Sequence, residues 1–232
     1  MDLNKHKLLM LRILNDIFTD KELAASLAFK GGTALMFFYQ LPRFSVDLDF
    51  NLLCLEKSDM VYEKLRLILL KYGKIHDQAK KFYGLLLVLD YGVGERKLKL
   101  EVSNRQYGDH YELKNLLGIP VRVMQLPDMF AHKLCALLDR GEVAGRDVFD
   151  CWFFLNQRTP INHRIVEERM GGSLQEHIEN CIALLEQIPN KVVMNGLGEV
   201  TDGKMKSFAR NKLRLETLSM LRFFHQFPIL VQ

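Results

Sequence analysis

Cysteine is scarce in this chain and never paired: Cys54, Cys135, Cys151 and Cys181 stand far apart, with no C-x-x-C. That argues against a disulfide framework and a zinc site, and predicts reduced thiols and a cytoplasmic setting. The histidines show no H-E-x-x-H or other ligand spacing, so none is assigned a metal. No apolar run reaches the roughly 20 residues of a membrane span, so no membrane partner is expected. The opening MDLNKHKLLMLRILNDIF is basic and then apolar. Arg12, Asn15 and Asp16 interrupt it at helical spacing, which predicts an amphipathic helix rather than a signal peptide. Repeats and low-complexity tracts are missing too.

What is present is the composition of a globular protein, 48% hydrophobic and 26% charged over 232 residues. That length suffices for one large domain or two small ones. The net charge of +4 is unevenly placed, because residues 191–232 hold seven basic and three acidic side chains and so carry the whole excess. A basic end on a neutral body suits a polyanionic partner.

Periodicity and turn residues predict helices over 5–18 and 20–25, a short strand LAFK, a helix from Thr33 to Tyr39, and a strand from Ser45 to Leu52. A helix over 57–72 and strands near 74–79, 83–91, 96–103 and 121–124 follow. Beyond Pro127 the pattern is helical, near 127–139, 146–157, 161–169, 173–187 and 205–226, with a loop over 190–204. The expected architecture is an α/β region over 1–125 and a helical region over 126–232 packed on it.

The chemistry concentrates in KGGTALMFFYQLPRFSVDLDF, Lys30 to Phe50. On a strand Asp47 and Asp49 share one face, and two adjacent carboxylates repel unless a cation lies between them. Oxygen-only ligands favour Mg²⁺ or Mn²⁺. Two ordinary acids on a solvent-facing strand would read the same. A third carboxylate tips the balance: KLKLEVS alternates strictly, placing Glu101 on the face opposite Leu98, Leu100 and Val102. If that strand lies beside Ser45–Leu52, Glu101 completes a triad suited to phosphoryl chemistry. Asp90, ending LLLVLD, is a competing candidate.

Gly31, Gly32 and Thr33 lie between a strand and a helix start, where close backbone approach and free N–H groups suit a phosphate. Thr33 can cap the helix or donate to that phosphate. No G-K-[ST] follows, so this is not a Walker loop. Further on, Leu126, Phe130, Lys133, Leu137 and Arg140 share a helical stripe, and a lysine there must snorkel, pair or face a polar cavity. Arg146 and Asp150 have the spacing of a helix salt bridge, and Asp147 can simply favour a helix dipole. Trp152 is expected in the core.

Together, GGTAL at Gly31–Leu35, R-x-S-x-D-L-D-F at Arg43–Phe50, KLEVS, and PDMFAHKLCALLDR followed by RDVFD resemble the AbiEii/AbiGii toxins. These form the type IV toxin–antitoxin branch of the nucleotidyltransferase superfamily. The resemblance spans about residues 25–155. It implies an α+β fold with a polymerase-β-like core sheet, flanking helices and a helical C-terminal half. It also implies metal-dependent transfer of a nucleotide from an NTP to an acceptor, which can be RNA, and a cognate antitoxin. By position, Asp47, Asp49 and Glu101 match the metal-binding acids, and Gly31, Gly32 and Thr33 the triphosphate turn. Arg43 and Ser45 match the R-x-S element, Lys133 a phosphate-contacting lysine, and Asp147 the acid of the next motif. Glu101 stands where such enzymes most often have Asp.

Glycosyltransferases also use D-x-D but lack the upstream glycine and R-x-S elements, and a D-x-D-x-T phosphatase would need Thr where Asn51 stands. A non-catalytic binding protein and a metal-dependent nuclease stay open as rivals. In the basic C-terminal helix, Lys206, Arg210 and Arg214 recur every four residues, and this stripe reads either as a solvated charged face, the commoner case, or as an RNA surface. Met205, Phe208, Leu215 and Leu218 form its apolar side.

Overall fold

The structure, a computed structural model, describes residues 2–139, 141–197 and 203–227. They form two compact units. Unit 1 comprises Met1–Gln40, Ser45–Gln106 and Tyr111–Met124, and unit 2 comprises Leu41–Phe44, Tyr107–His110 and Gln125–Gln232.

Unit 1 is a mixed sheet with helices. Its helices are α1 (Leu3–Thr19), α2 (Lys21–Ser26), α3 (Gly31–Phe38) and α4 (Ser58–Leu70). Its strands are β1 (Leu27–Lys30), β2 (Leu48–Leu52), β3 (Lys74–Lys81), β4 (Gly84–Asp90), β5 (Leu98–Ser103), β6 (Tyr111–Leu116) and β7 (Ile119–Met124). The sheet order is β3-β4-β5-β2-β1-β7-β6. Helix α1 starts at Asp2, whose carboxylate accepts the N–H groups of Asn4 and Lys5. Its Met10, Ile13, Leu14 and Ile17 are fully buried at helical spacing, as its amphipathic pattern requires. On β2 the buried residues Leu48 and Phe50 alternate with Asp49. A slip of one residue would bury Asp49 and expose Phe50, forfeiting roughly 1.5–3 kcal/mol of apolar burial for the ring alone. The register of β2 is fixed by that cost.

Unit 2 contains α5 (Leu126–Ala136), α6 (Gly145–Asn156), α7 (His163–Met170), α8 (Leu174–Gln187), α9 (Gly203–Asn211) and α10 (Leu213–Gln226). Segment 190–204 is not wholly loop, since Asn190–Met194 form a 3₁₀ turn. Trp152 is core, packed between Phe149 and Phe208.

The single basic helix expected over 205–226 is two helices. The chain departs from helical geometry at Lys212, between α9 and α10. Arg214 is drawn away from any shared stripe: its Nε donates to Asn190 Oδ1 at 2.6 Å and its Nη1 to the Leu185 carbonyl at 2.8 Å. Lys206 and Arg210 lie exposed on α9, while Leu215, assigned to the apolar side, is itself exposed. The stripe read from the sequence is therefore not carried by one helix. Among the described residues, no helix is long and apolar enough to cross a membrane.

Candidate functional site

The glycines and the acids meet in unit 1. Strands β2 and β5 run parallel with Asp49 opposite Glu101, and on the antiparallel side Lys30 of β1 stands opposite Asp49. Directly paired residues point to one face, so Lys30, Asp49 and Glu101 form a row across three strands about 4.8 Å apart. The opposite face carries Leu48, Phe50, Leu100 and Val102, all buried. Register also sets the rival acid apart from this row. Opposite Glu101 on β4 is Leu86, whereas Asp90 pairs with Lys74 at the far end, four residues or about 13 Å along the strand.

Asp47 is not on the strand. The expected strand from Ser45 begins only at Leu48, because its antiparallel partner β1 ends at Lys30, opposite Asp49. The chain at Asp47 is held instead by Thr33, whose hydroxyl donates to the Asp47 carbonyl. Thr33 is fully buried, so its side chain anchors the first acid to the first turn of α3. What this turn can offer a phosphate is backbone: Lys30 caps α3 without a side-chain hydrogen bond, and the first N–H groups of a helix have no partner within it. Asp47 and Asp49 are both half-buried, as is Ser45.

Gly31 shows why this position has no side chain. Its φ is +78°, and a Cβ built there would lie 2.6 Å from Asp49 Oδ2. The turn wraps directly against the second acid.

The donor set is oxygen-only and anionic, which suits Mg²⁺ or Mn²⁺. Among the described residues, no group of three or more His, Cys, Asp or Glu is gathered as a ready-made metal site. Glu101 lies 2.8 Å from Lys99 Nζ instead. Both side chains of that pair are about two-fifths exposed. Such a pair contributes at most about 1 kcal/mol, so a divalent cation can outcompete it. The three acids suit such an ion in donor chemistry, and register sets Asp49 beside Glu101.

Unit 2 holds a second charged cluster. Arg43 grips Asp150 through two bonds, Nε to Oδ1 at 2.7 Å and Nη2 to Oδ2 at 2.6 Å, with both side chains buried. Lys133 joins them, its Nζ 2.8 Å from Asp150 Oδ2 and 3.0 Å from Asp147 Oδ1. Burial pushes the Lys133 pKa down, but Asp150 and Asp147 outweigh it and hold the ammonium above its ordinary value. Burial likewise pushes Asp150 up, and Arg43 with Lys133 more than reverses it. Lys133 thus sits in its apolar stripe because it is paired. Arg140, placed on the same stripe, lies outside the described residues. Asp150 serves Arg43 and Lys133, so the expected helix pair with Arg146 is replaced by contacts distant in sequence.

Sequence reasoning passed over Lys30, the partners of Asp150 and a set of bonds that hold residues 107–110 within unit 2. Asp128 accepts from the His110 backbone and from Asn162 Nδ2, and Asp109 pairs with His132 at 2.6 Å. A buried acid in a helix's first turn has no signal in the sequence beyond its type.

Residues 12–218 match the family model described as "Nucleotidyl transferase AbiEii toxin, Type IV TA system". A crystal structure of a nucleotidyltransferase from H. pylori is similar at 21% identity and a TM-score of 0.62, covering 96% of this chain and 94% of that one. The Helicobacter pylori protein JHP933 is similar at 22% identity and a TM-score of 0.57, covering 97% and 92%. Both likenesses establish the α+β nucleotidyltransferase fold. Among curated proteins, none matches the chain in sequence.

Proposed function

This chain belongs to the AbiEii family of nucleotidyltransferase toxins of type IV toxin–antitoxin systems, and from that premise we propose that it transfers a nucleotide from an NTP to an acceptor, most simply RNA. The observation that carries the reading is the pairing of Asp49 with Glu101, directly against the Gly31 turn.

In the proposed reaction an acceptor hydroxyl attacks the α-phosphorus. A new P–O bond forms as the α–β bridge breaks, pyrophosphate leaves, and the hydroxyl proton passes to solvent. Asp47, Asp49 and Glu101 would hold a divalent cation, which when bound offsets charge on the phosphate oxygens. Backbone N–H groups at Gly31, Gly32 and Thr33 orient the phosphates. Buried Thr33 fixes the Asp47 backbone relative to that turn. The nucleotide-contact roles that the family pattern gives Arg43, Ser45, Lys133 and Asp147 belong to the proposal as well. So does a cognate antitoxin, in keeping with the family.

The test is incubation with each labelled NTP, Mg²⁺ and a cell extract, followed by separation of RNA from protein. We expect label in RNA with the parent and none with Asp47→Asn or Asp49→Asn, both variants retaining the parent's circular dichroism. Full transfer by both variants overturns the site, and label in protein alone overturns the acceptor.

A further inference from the structure

Next to Glu101, in unit 1, lies a cleft of about 500 Å³ lined by Lys81, Phe82, Tyr83, Gly84, Glu101 and Arg105, among others. We propose that this cleft binds an unpaired base of the acceptor strand, stacked on Phe82 and Tyr83, with the neighbouring phosphates on Lys81 and Arg105. This rests on the reading of Glu101 as part of the reaction centre.

Three observations carry it. The first is exposure without a folding role. Lys81 pairs with Gly84, so the β3–β4 hairpin closes through a two-residue loop, Phe82-Tyr83. Neither residue has a positive φ, so the turn demands no particular side chain there. Two large aromatics occupy it all the same, 84% and 56% exposed, where they bury little and contribute little to folding. Adjoining aromatics left exposed mark a binding surface.

The second is that the exposed tip is held in place. Asn104 Nδ2 donates to the Phe82 carbonyl at 2.9 Å, and the Asn104 N–H to the Tyr83 carbonyl at 3.3 Å. Gly84, at φ +147°, lets β4 approach β5 so closely that a Cβ would lie 2.1 Å from the Val102 carbonyl oxygen. The two rings stand edge to face, their centroids 4.7 Å apart. A platform fixed before binding loses little entropy when a ring is laid on it.

The third is the chemistry of the rim. The Arg105 guanidinium lies 4.1 Å from the centre of the Tyr83 ring, and Lys81 is exposed beside the turn. Aromatic faces flanked by cations are the means by which proteins hold single strands: bases stack and phosphates find positive charge. A duplex hides its base faces, so the occupant is unpaired. The cleft lies within the size range of small-ligand sites. Its position beside Glu101 suits the acceptor end.

The test uses the full chain and a short single-stranded RNA carrying aminopurine at one end, without NTP or divalent cation. Binding should quench the aminopurine. Phe82→Ala with Tyr83→Ala should weaken affinity roughly ten-fold or more, since base–aromatic stacking is worth about that per base. Phe82→Leu with Tyr83→Leu should fail to restore it, separating stacking from apolar area. Lys81→Gln and Arg105→Gln should each shrink the log–log salt slope by about 0.7. Unchanged affinity in the double alanine variant overturns the proposal, as does equal affinity for duplex RNA. Loss of NTP affinity with RNA affinity intact overturns it too, by placing the NTP base on the platform. Because no turnover is measured, active Asp47→Asn and Asp49→Asn variants would sink the proposed reaction and leave this result standing.

Discussion

Gly31 and Asp49 touch across the start of α3: at φ +78°, Gly31 presents a bare Cα where any Cβ would come within 2.6 Å of the carboxylate. Gly31→Ala therefore carries two penalties. The left-handed backbone costs a non-glycine residue about 1–2 kcal/mol, and the methyl must push Asp49 out of its row with Glu101. We expect a folded protein, destabilised by about that amount in urea, whose nucleotide transfer falls far more than its stability. Parent-level transfer would show that the placing of Asp49 does not matter.

The buried network in unit 2 makes a different prediction. Asp150 pairs with both Arg43 and Lys133, so Asp150→Asn leaves two cations with Asp147 as their remaining carboxylate in the cluster and should cost about 3–5 kcal/mol. The pH sign follows from its depressed folded-state pKa. The stabilisation is present above the unfolded-state value, near 4, and is lost as pH falls through the lower folded-state value. Denaturant midpoints measured between neutral pH and pH of about 2 should fall more steeply in the parent than in Asp150→Asn. Parallel curves would mean that folding leaves the Asp150 pKa unshifted, and a shallower fall in the parent that burial outweighs its two cations.

Lys133→Met separates two roles for one side chain. Methionine keeps the helix and much of the stem volume. Stability should drop because Asp147 loses its ammonium partner at 3.0 Å. If the family's phosphate role holds, NTP affinity measured by calorimetry on folded protein should also fall. Loss of stability with intact affinity would assign Lys133 to the network alone.

Asp49 and Glu101 were legible because strict alternation reports which face a residue takes, and Glu101 needed only the right neighbour strand. The neighbour itself was not legible, since strand order depends on packing of the whole sheet. Asp150 was read as a local partner of Arg146 because i, i+4 spacing is all that a sequence displays. Its true partners lie 107 and 17 positions away. The C-terminal stripe failed for a related reason. Four-residue spacing holds only while the helix continues, and the break at Lys212 leaves no glycine or proline as a mark.

Strand β6 was missed altogether, and its turn yields the last prediction. The β6–β7 hairpin closes through Leu117-Gly118, both at positive φ, 53° and 91°. This is the geometry for which Asn-Gly is favoured, and Leu117 hid the signal. Leucine gains nothing in return: it is 80% exposed, and its left-handed backbone is strained. Asparagine tolerates that conformation. Leu117→Asn should therefore stabilise the protein by about 0.5–1 kcal/mol, read as a raised urea midpoint with unchanged slope. Leu113→Asn is the control. Leu113 is 70% exposed on the adjoining strand β6 but has no positive φ, so removing its apolar side chain should bring no gain. Equal stabilisation by both substitutions would trace the effect to replacing an exposed leucine with a polar side chain and refute the strain at Leu117.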